Sequence, residues 1–271
     1  MRRLAIIGAA RGQLPLCLKA KEMGLETICF AWEQGAICRE YVDKFYPISI
    51  FDKDKILEIC IKEKIDGIIS NASDILSEIV AYISERMNLI GNSYTCIQNI
   101  RNKYQVRSIT EHIDGFHIIR YNKYSGSAPT FYPCVVKPIS GASKKGVHFV
   151  LNSSAFDTAI NYAKATSDDI LIEEYIDGDE ISVETISYKG QHHILQITDK
   201  ETSGPPHFVE LAHHQPAQIS TNLKQKIHRA IPQLLSAVDF KNGAAHIELK
   251  IDKEDNLYLI EINPRGGGDE I

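Results

Sequence analysis

Short apolar runs alternate with helically spaced stretches along the first hundred positions. Leu4–Ile7, Thr27–Ala31, Tyr46–Ile50 and Gly67–Ser70 read as strands. Between them, Leu14–Met23 has helical spacing and stops at Gly24, Lys53–Lys64 is amphipathic, and Ile75–Met87 is a further helix. Strand alternating with helix predicts a parallel sheet with helices on both faces. The pattern changes near residue 100. Phe131–Pro138, Val147–Leu151, Ile170–Tyr175, Glu180–Tyr188 and His192–Thr198 read as an antiparallel, hairpin-rich region, with helices at Ser154–Thr166 and Leu223–Val238. The predicted class is α/β: a parallel-sheet unit over residues 1–100, then an α+β unit over 101–271 with a small lobe at about 101–175 and a larger one at about 176–271. No internal repeat or low-complexity segment interrupts it.

The most informative stretch runs from Ala245 to Asn263. Two alternating apolar runs flank the polar turn Asp252-Lys253-Glu254-Asp255-Asn256, which signals a β-hairpin. A turn centred between Glu254 and Asp255 sets Glu248 opposite Glu261, with Asn263 on the same face as Glu261. Facing carboxylates repel, and apolar surroundings raise the cost. A divalent cation removes it, and two carboxylates with an amide suit Mg²⁺. An acidic solvent-facing strand pair is the other reading, and a register slip of one residue would select it. Pro264-Arg265-Gly266-Gly267-Gly268-Asp269 follows: glycines allow close backbone approach to a ligand, and Arg265 offers a planar fork for phosphate or carboxylate.

Lys137 ends the apolar strand Cys134-Val135-Val136-Lys137, a costly place for an unpaired charge. The loop Ser140-Gly141-Ala142-Ser143-Lys144-Lys145-Gly146 after it can wrap a polyphosphate with backbone N–H groups, or serve as an ordinary hairpin turn; it is not a Walker A loop. Glu173-Glu174-Tyr175-Ile176 followed by Asp177-Gly178-Asp179-Glu180 reads as a hinge whose backbone could meet an adenine edge, with Glu180 near the ribose, or as a charged edge strand. Gly8-x-x-x-Gly12 is a strand–turn–helix turn but lacks the G-x-G-x-x-G dinucleotide pattern.

Composition narrows the partners. A net charge of −5 argues against electrostatic nucleic-acid binding. The apolar run after Met1 is too short for a membrane span or a signal core. The six cysteines, none in C-x-x-C, predict buried reduced thiols and a cytoplasmic protein.

Taken in order, Lys103, Lys137, the 140–146 loop, Glu173–Ile176, Glu180, His246-Ile247-Glu248-Leu249-Lys250 and Glu261-Ile262-Asn263-Pro264-Arg265 resemble the ATP-grasp enzymes, in the branch of biotin carboxylase, carbamoyl-phosphate synthetase and the L-amino-acid ligases. The resemblance spans essentially the whole chain and implies a Rossmann-like pre-ATP-grasp domain followed by a two-lobed ATP-grasp domain. It implies ATP phosphates at Lys103 and Lys137 under a closing loop (Ser140, Gly141, Ala142, Ser143, Gly146). Adenine would lie at Glu173, Glu174, Tyr175 and Ile176, ribose at Glu180, and Mg²⁺ (or Mn²⁺) at Glu248, Glu261 and Asn263. Arg265 would meet the transferring phosphate or the intermediate, and His214, or its neighbour His213, a phosphate. The expected reaction joins a small carboxylate to a nucleophile, an amine first, through an acylphosphate, with no nucleic acid or membrane involved and a homodimer as an option. The family usually continues past Asn-Pro-Arg by a further small domain, so the chain ending at Ile271 reads as short. A non-catalytic nucleotide-binding module is the second reading and an NAD(P)-dependent oxidoreductase the third; the latter leaves Lys137 and the Glu248/Glu261/Asn263 set unexplained.

Overall fold

Ala5 and Ile7 point to one side of the first strand and Ile6 to the other, and all three are fully buried. Such a strand needs cover on both faces, and the computed structural model, which describes residues 1–141, 145–206 and 208–267, supplies it. The first sheet is parallel: β1 (Arg3–Ile7), β2 (Glu26–Ala31), β3 (Lys44–Pro47) and β4 (Gly67–Ile69) in the order β3-β2-β1-β4. Ala5, Ile7, Ile28 and Phe30 share a core with residues of α2 (Lys53–Glu63) and α3 (Asp74–Arg86). Ile6 and Cys29 face α1 (Leu14–Glu22) on the other side.

Two short helices, α4 (Tyr94–Arg101) and α5 (Lys103–Thr110), follow. Asn102 separates them: its side chain accepts from Gln105 N at 3.1 Å, capping α5 and placing Lys103 in its first turn. Both were missing from the pattern reading, and α5 also departs from the expected lobe division. Val106 of α5 and Ile97 and Ile100 of α4 are buried in the core of the larger lobe, beside α7 (Thr221–Ala237). An eight-residue helix shows too few turns for its period to stand out in the sequence.

A four-stranded sheet, β5-β8-β6-β7, is built from β5 (Tyr121–Lys123), β6 (Cys134–Pro138), β7 (His148–Val150) and β8 (Ile170–Glu174), with α6 (Phe156–Lys164) against it. A five-stranded antiparallel sheet has the order β11-β10-β9-β12-β13, from β9 (Asp179–Tyr188), β10 (Gln191–Thr202), β11 (Glu210–His214), β12 (Gly243–Ile251) and β13 (Leu257–Asn263).

The expected hairpin forms, and Glu248 pairs directly with Glu261. Nearer the turn the register differs, because Leu249 pairs with Leu259 and leaves Ile260 as an extra residue. This bulge matters because side chains alternate with period two. Leu257, Leu259, Glu261 and Asn263 all have odd numbers, and an unbroken strand would put them on one face. The bulge reverses the alternation: Leu257, Leu259 and Ile262 enter the core with Ala245, Ile247 and Leu249, while Glu261 turns to the face that carries Glu248.

Among the described residues no helix is long and apolar enough to cross a membrane. All six cysteines are free and buried, as expected.

Candidate functional site

The polar face of the five-stranded sheet and the end of the four-stranded sheet bound a cleft. Lys103, Lys137, Gly141, Glu173, Glu174, Tyr175, Ile176, Glu180, Glu248 and Glu261 all line it. Residues separated by up to 158 positions thus meet in one place.

Lys137 and Glu173 lie on adjacent strands, and Lys137 Nζ is 2.5 Å from Glu173 Oε2. On its other side Glu173 Oε1 is 2.7 Å from Arg107 Nε, a charge contact without hydrogen-bond alignment. Burial above all, with Arg107 and Lys103 adding to it, pushes the Lys137 ammonium below its ordinary value against the pull of Glu173. Burial acts on Glu173 in the opposite sense to its cations, and Arg107 and Lys137 together prevail, holding its carboxyl below the usual range. The side chain of Glu173, expected at adenine, lines the cleft and pairs with two cations. Its neighbour Glu174 pairs outward with Arg120 at 2.8 Å. Tyr175 packs edge-on against Phe149, with centroids 4.9 Å apart, and Phe208 from the β10–β11 connection lies 6.1 Å from the Tyr175 ring. The Ile176 carbonyl accepts from Lys250 Nζ at 3.1 Å, and that ammonium is 3.5 Å from Glu180 Oε1.

Each carboxylate of the facing pair holds a lysine. Lys103 Nζ is 2.7 Å from Glu261 Oε1, and Lys200 Nζ is 3.3 Å from Glu248 Oε1. Lys200 also reaches Glu210 Oε1 at 3.0 Å. His246 stands between Glu184 and Glu248: Nδ1 bonds Glu184 and Nε2 lies 3.4 Å from Glu248 Oε1. Burial opposes charge on this imidazole, but the hydrogen bonds to Glu184 and Glu248 raise its pKa to about 9. Burial likewise opposes charge on Glu248, and His246 and Lys200 outweigh it, keeping the carboxyl well below its ordinary value.

Among the described residues no group of three or more metal-type side chains has already converged. The donor set nevertheless fits a hard divalent cation: two facing carboxylates, with Asn263 buried beside them and paired with His246, offer oxygen ligands. The lysines on the carboxylates meanwhile balance their charge.

Of the loop, Gly141 lines the cleft and its carbonyl accepts from Lys103 Nζ at 3.2 Å, whereas Ser140 is exposed at the rim. Gly146 has φ +75°, and a Cβ there would come within 2.9 Å of Pro138, so glycine is required. Ala142 and Ser143 lie outside the described residues.

Two of the expected residues, His214 and Arg265, lie outside the lining of this cleft. Asp199 pairs with His214 and Lys200 with His213, so His213 shares the face of Lys200 while His214 faces away. His214 is 61% exposed beside Glu201, and His213 Nε2 is 3.7 Å from Glu210 Oε2. Arg265 does not line this cleft. Its N–H donates to the Asn263 carbonyl at 2.8 Å, turning the chain toward the parallel sheet, where its Nε comes within 2.9 Å of Asp74 Oδ1. There it lines a second cleft with Ser70, Asn71, Asn92 and Asn242.

Sequence reasoning missed Arg107, Lys200 and Glu210, and gave no role to His246 and Lys250, which it quoted within a motif. The signal that singled out Lys137, a lysine within an alternating apolar strand, also applies to Lys200 and Lys250. No comparable signal marks Phe208.

Comparison with known proteins agrees with this geometry. The ATP-grasp domain family matches residues 130–271. The chain is 26% identical over 282 aligned residues to formate-dependent phosphoribosylglycinamide formyltransferase from Hydrogenovibrio crunogenus, covering 97% of this chain and 69% of that protein. It is 29% identical over 137 residues to D-alanine–D-alanine ligase from Flavobacterium johnsoniae, covering 48% of this chain and 42% of the ligase. The crystal structure of L-amino acid ligase from Bacillus licheniformis superposes with a TM-score of 0.83 at 28% identity, over 98% of this chain and 67% of the ligase. The mixed α/β architecture, the cleft and the family match over more than half of the chain lead to one conclusion: this chain belongs to the ATP-grasp domain family.

Proposed function

We propose that this chain is an ATP-dependent, ADP-forming ligase that activates a small carboxylate as an acylphosphate and passes it to an amine or similar nucleophile. The observation that carries this reading is the direct pairing of Glu248 with Glu261 in a cleft that also holds Lys103 and Lys137.

ATP lies with its adenine toward Tyr175 and Ile176, its ribose toward Glu180 and its phosphates toward Lys137 and Lys103. Gly141 lies toward the phosphates. Mg²⁺, held by Glu248, Glu261 and Asn263, supplies charge stabilisation to the transferring phosphoryl group when bound. Lys103 and Lys200 exchange their carboxylate partners for phosphate oxygens as the nucleotide enters. A carboxylate oxygen of the substrate attacks the γ-phosphorus in line, the bond to the β–γ bridging oxygen breaks, and ADP leaves. The nucleophile then adds to the acyl carbon, and inorganic phosphate departs with the C–O electron pair. His213 and Lys200 stand on the same face to meet developing phosphate charge, and Arg265 serves the second cleft, where we place the acceptor. The protein positions and neutralises, and it needs no covalent nucleophile of its own. Residues 1–100 and 101–271 form the two units of this reading, with α4 and α5 packed into the larger lobe. Six reduced thiols favour a cytoplasmic setting.

Calorimetry with ATP and Mg²⁺, beside an ADP-release assay over pools of amino acids and organic acids, tests the proposal. Binding followed by acid-stimulated ADP release is expected. Binding with no turnover in any pool would favour a nucleotide-binding module instead.

A further inference from the structure

Building on the nucleotide-cleft reading, we propose that Arg107 is a positioning residue that holds the Ile260 bulge, and with it the Glu261 carboxylate, at a set distance from Lys137. Arg107 is 3% exposed and carries its fork between two sheets. On one side Nε is 2.7 Å from Glu173, the partner of Lys137 in the four-stranded sheet. On the other, Nη2 donates to the Ile260 carbonyl at 2.8 Å in the five-stranded sheet. Ile260 is the extra residue that turns Glu261 toward Glu248. A bulge leaves part of the ladder unpaired, so its carbonyl is available to an outside donor, and a bond there resists a slip back to regular alternation.

The same helix contributes twice. Lys103, four residues before Arg107 and so on the same side of α5, contacts the carboxylate of Glu261 itself. Val106 and Thr110 meanwhile anchor α5 by burial. The helix is thus a strut with one cation on the acidic side chain and another on the backbone that aims it. The geometry calls for arginine in particular. A lysine can neutralise Glu173, but a single ammonium does not span two acceptors in fixed directions as a planar guanidinium does. Arg107 Nη1 has no hydrogen-bond partner among the described residues, a cost in a buried site that packing alone does not explain.

The test is calorimetry of ATP binding with and without Mg²⁺ on wild type, Arg107→Lys and Glu173→Gln, with thermal melting to show that each is folded. In Arg107→Lys, metal-free ATP affinity should stay within about threefold of wild type, while the tightening by Mg²⁺ should shrink by about tenfold, the usual scale for losing support behind a metal ligand. Glu173→Gln should show the opposite pattern, because it frees Lys137 and leaves the Arg107–Ile260 bond: a change in metal-free binding, with the Mg²⁺ effect kept. An unchanged Mg²⁺ effect in Arg107→Lys, or an equal loss with and without metal, overturns the proposal. If Arg107→Lys does not fold, loss of the Mg²⁺ effect in Glu173→Gln overturns it and its retention supports it. A wild-type protein that binds no ATP would instead refute the nucleotide reading on which the inference rests.

Discussion

The two clefts are built on opposite principles. In the first, Lys103 and Lys137 each already touch a carboxylate, so a polyphosphate entering there exchanges one set of counter-ions for another. In the second, Arg265 is the one charged side chain among the described lining residues, Asp74 stands beside it, and the walls are otherwise serine, asparagine and apolar groups. Charge exchange suits a ligand that is the same in every turnover. Neutral hydrogen-bonding walls discriminate by shape and by unpaired polar groups, which is where selectivity between similar substrates comes from. In the proposed reading the chemistry belongs to the first cleft and the choice of acceptor to the second.

This division can be broken at several points. The largest effect is expected for Glu261→Ala, which should lower Mg²⁺-dependent ADP release by about 10²–10³-fold, the scale of losing a main electrostatic support of a transition state. Retained turnover would end the metal assignment. Lys137→Met should weaken ATP binding by about 10–100-fold, as for loss of a charged hydrogen bond, and leave Glu173 with Arg107 so that the chain still folds; calorimetry and a urea melt read both. Arg265→Met should raise the KM for the acceptor by about tenfold, as for one lost charged contact, with ATP affinity unchanged. A matching loss of ATP affinity would merge the two clefts into one site. His213→Ala should slow ADP release by several-fold while His214→Ala leaves it near wild type, a direct check of the strand register.

The smallest effect lies outside both clefts, at the hairpin turn. Burial opposes ionisation of Asp252, but hydrogen bonds from Asn256, Glu254 and Tyr258 lower its pKa to about 2. The folded value lies below the ordinary 3.8, so the stabilisation is present above pH 4 and is lost as pH falls toward 2. Asp252→Asn should flatten that part of an acid-unfolding curve, with a change below about 1 kcal/mol for so solvent-accessible a group.

What the sequence revealed follows from how local each signal is. The parallel sheet was legible because β1 and β2 are buried and read as apolar runs, whereas β3, at Lys44–Pro47, is not buried and was expected two to three residues later, at 46–50. The Glu248–Glu261 pairing was legible because two alternating strands flank one polar turn. The bulge at Ile260 was not predicted, although its trace is present: Leu257 and Leu259 share their parity with Glu261 and Asn263, and both kinds of residue cannot occupy one face. Helices α4 and α5 were too short for periodicity to register, and β5 and β11 too short and polar. Choosing between His213 and His214 needed the pairing of β11 with β10, a long-range fact. The protein partners of Arg265 and Glu173, Asp74 and Arg107, were not legible because they come from distant parts of the chain.

The buried cysteines have a practical use. Cys60 lies in one core of the parallel sheet, Cys17, Cys29 and Cys38 in the other, Cys96 in the core of the larger lobe and Cys134 in that of the four-stranded sheet. Burial raises the pKa of Cys29, Cys60 and Cys96 to about 12 and that of Cys134 to about 11, so the intact fold presents almost no thiolate to an alkylating reagent. Labelling must then await local opening, and mass spectrometry of the alkylated peptides would report, layer by layer, which part of the protein opens first and which part a bound nucleotide holds shut.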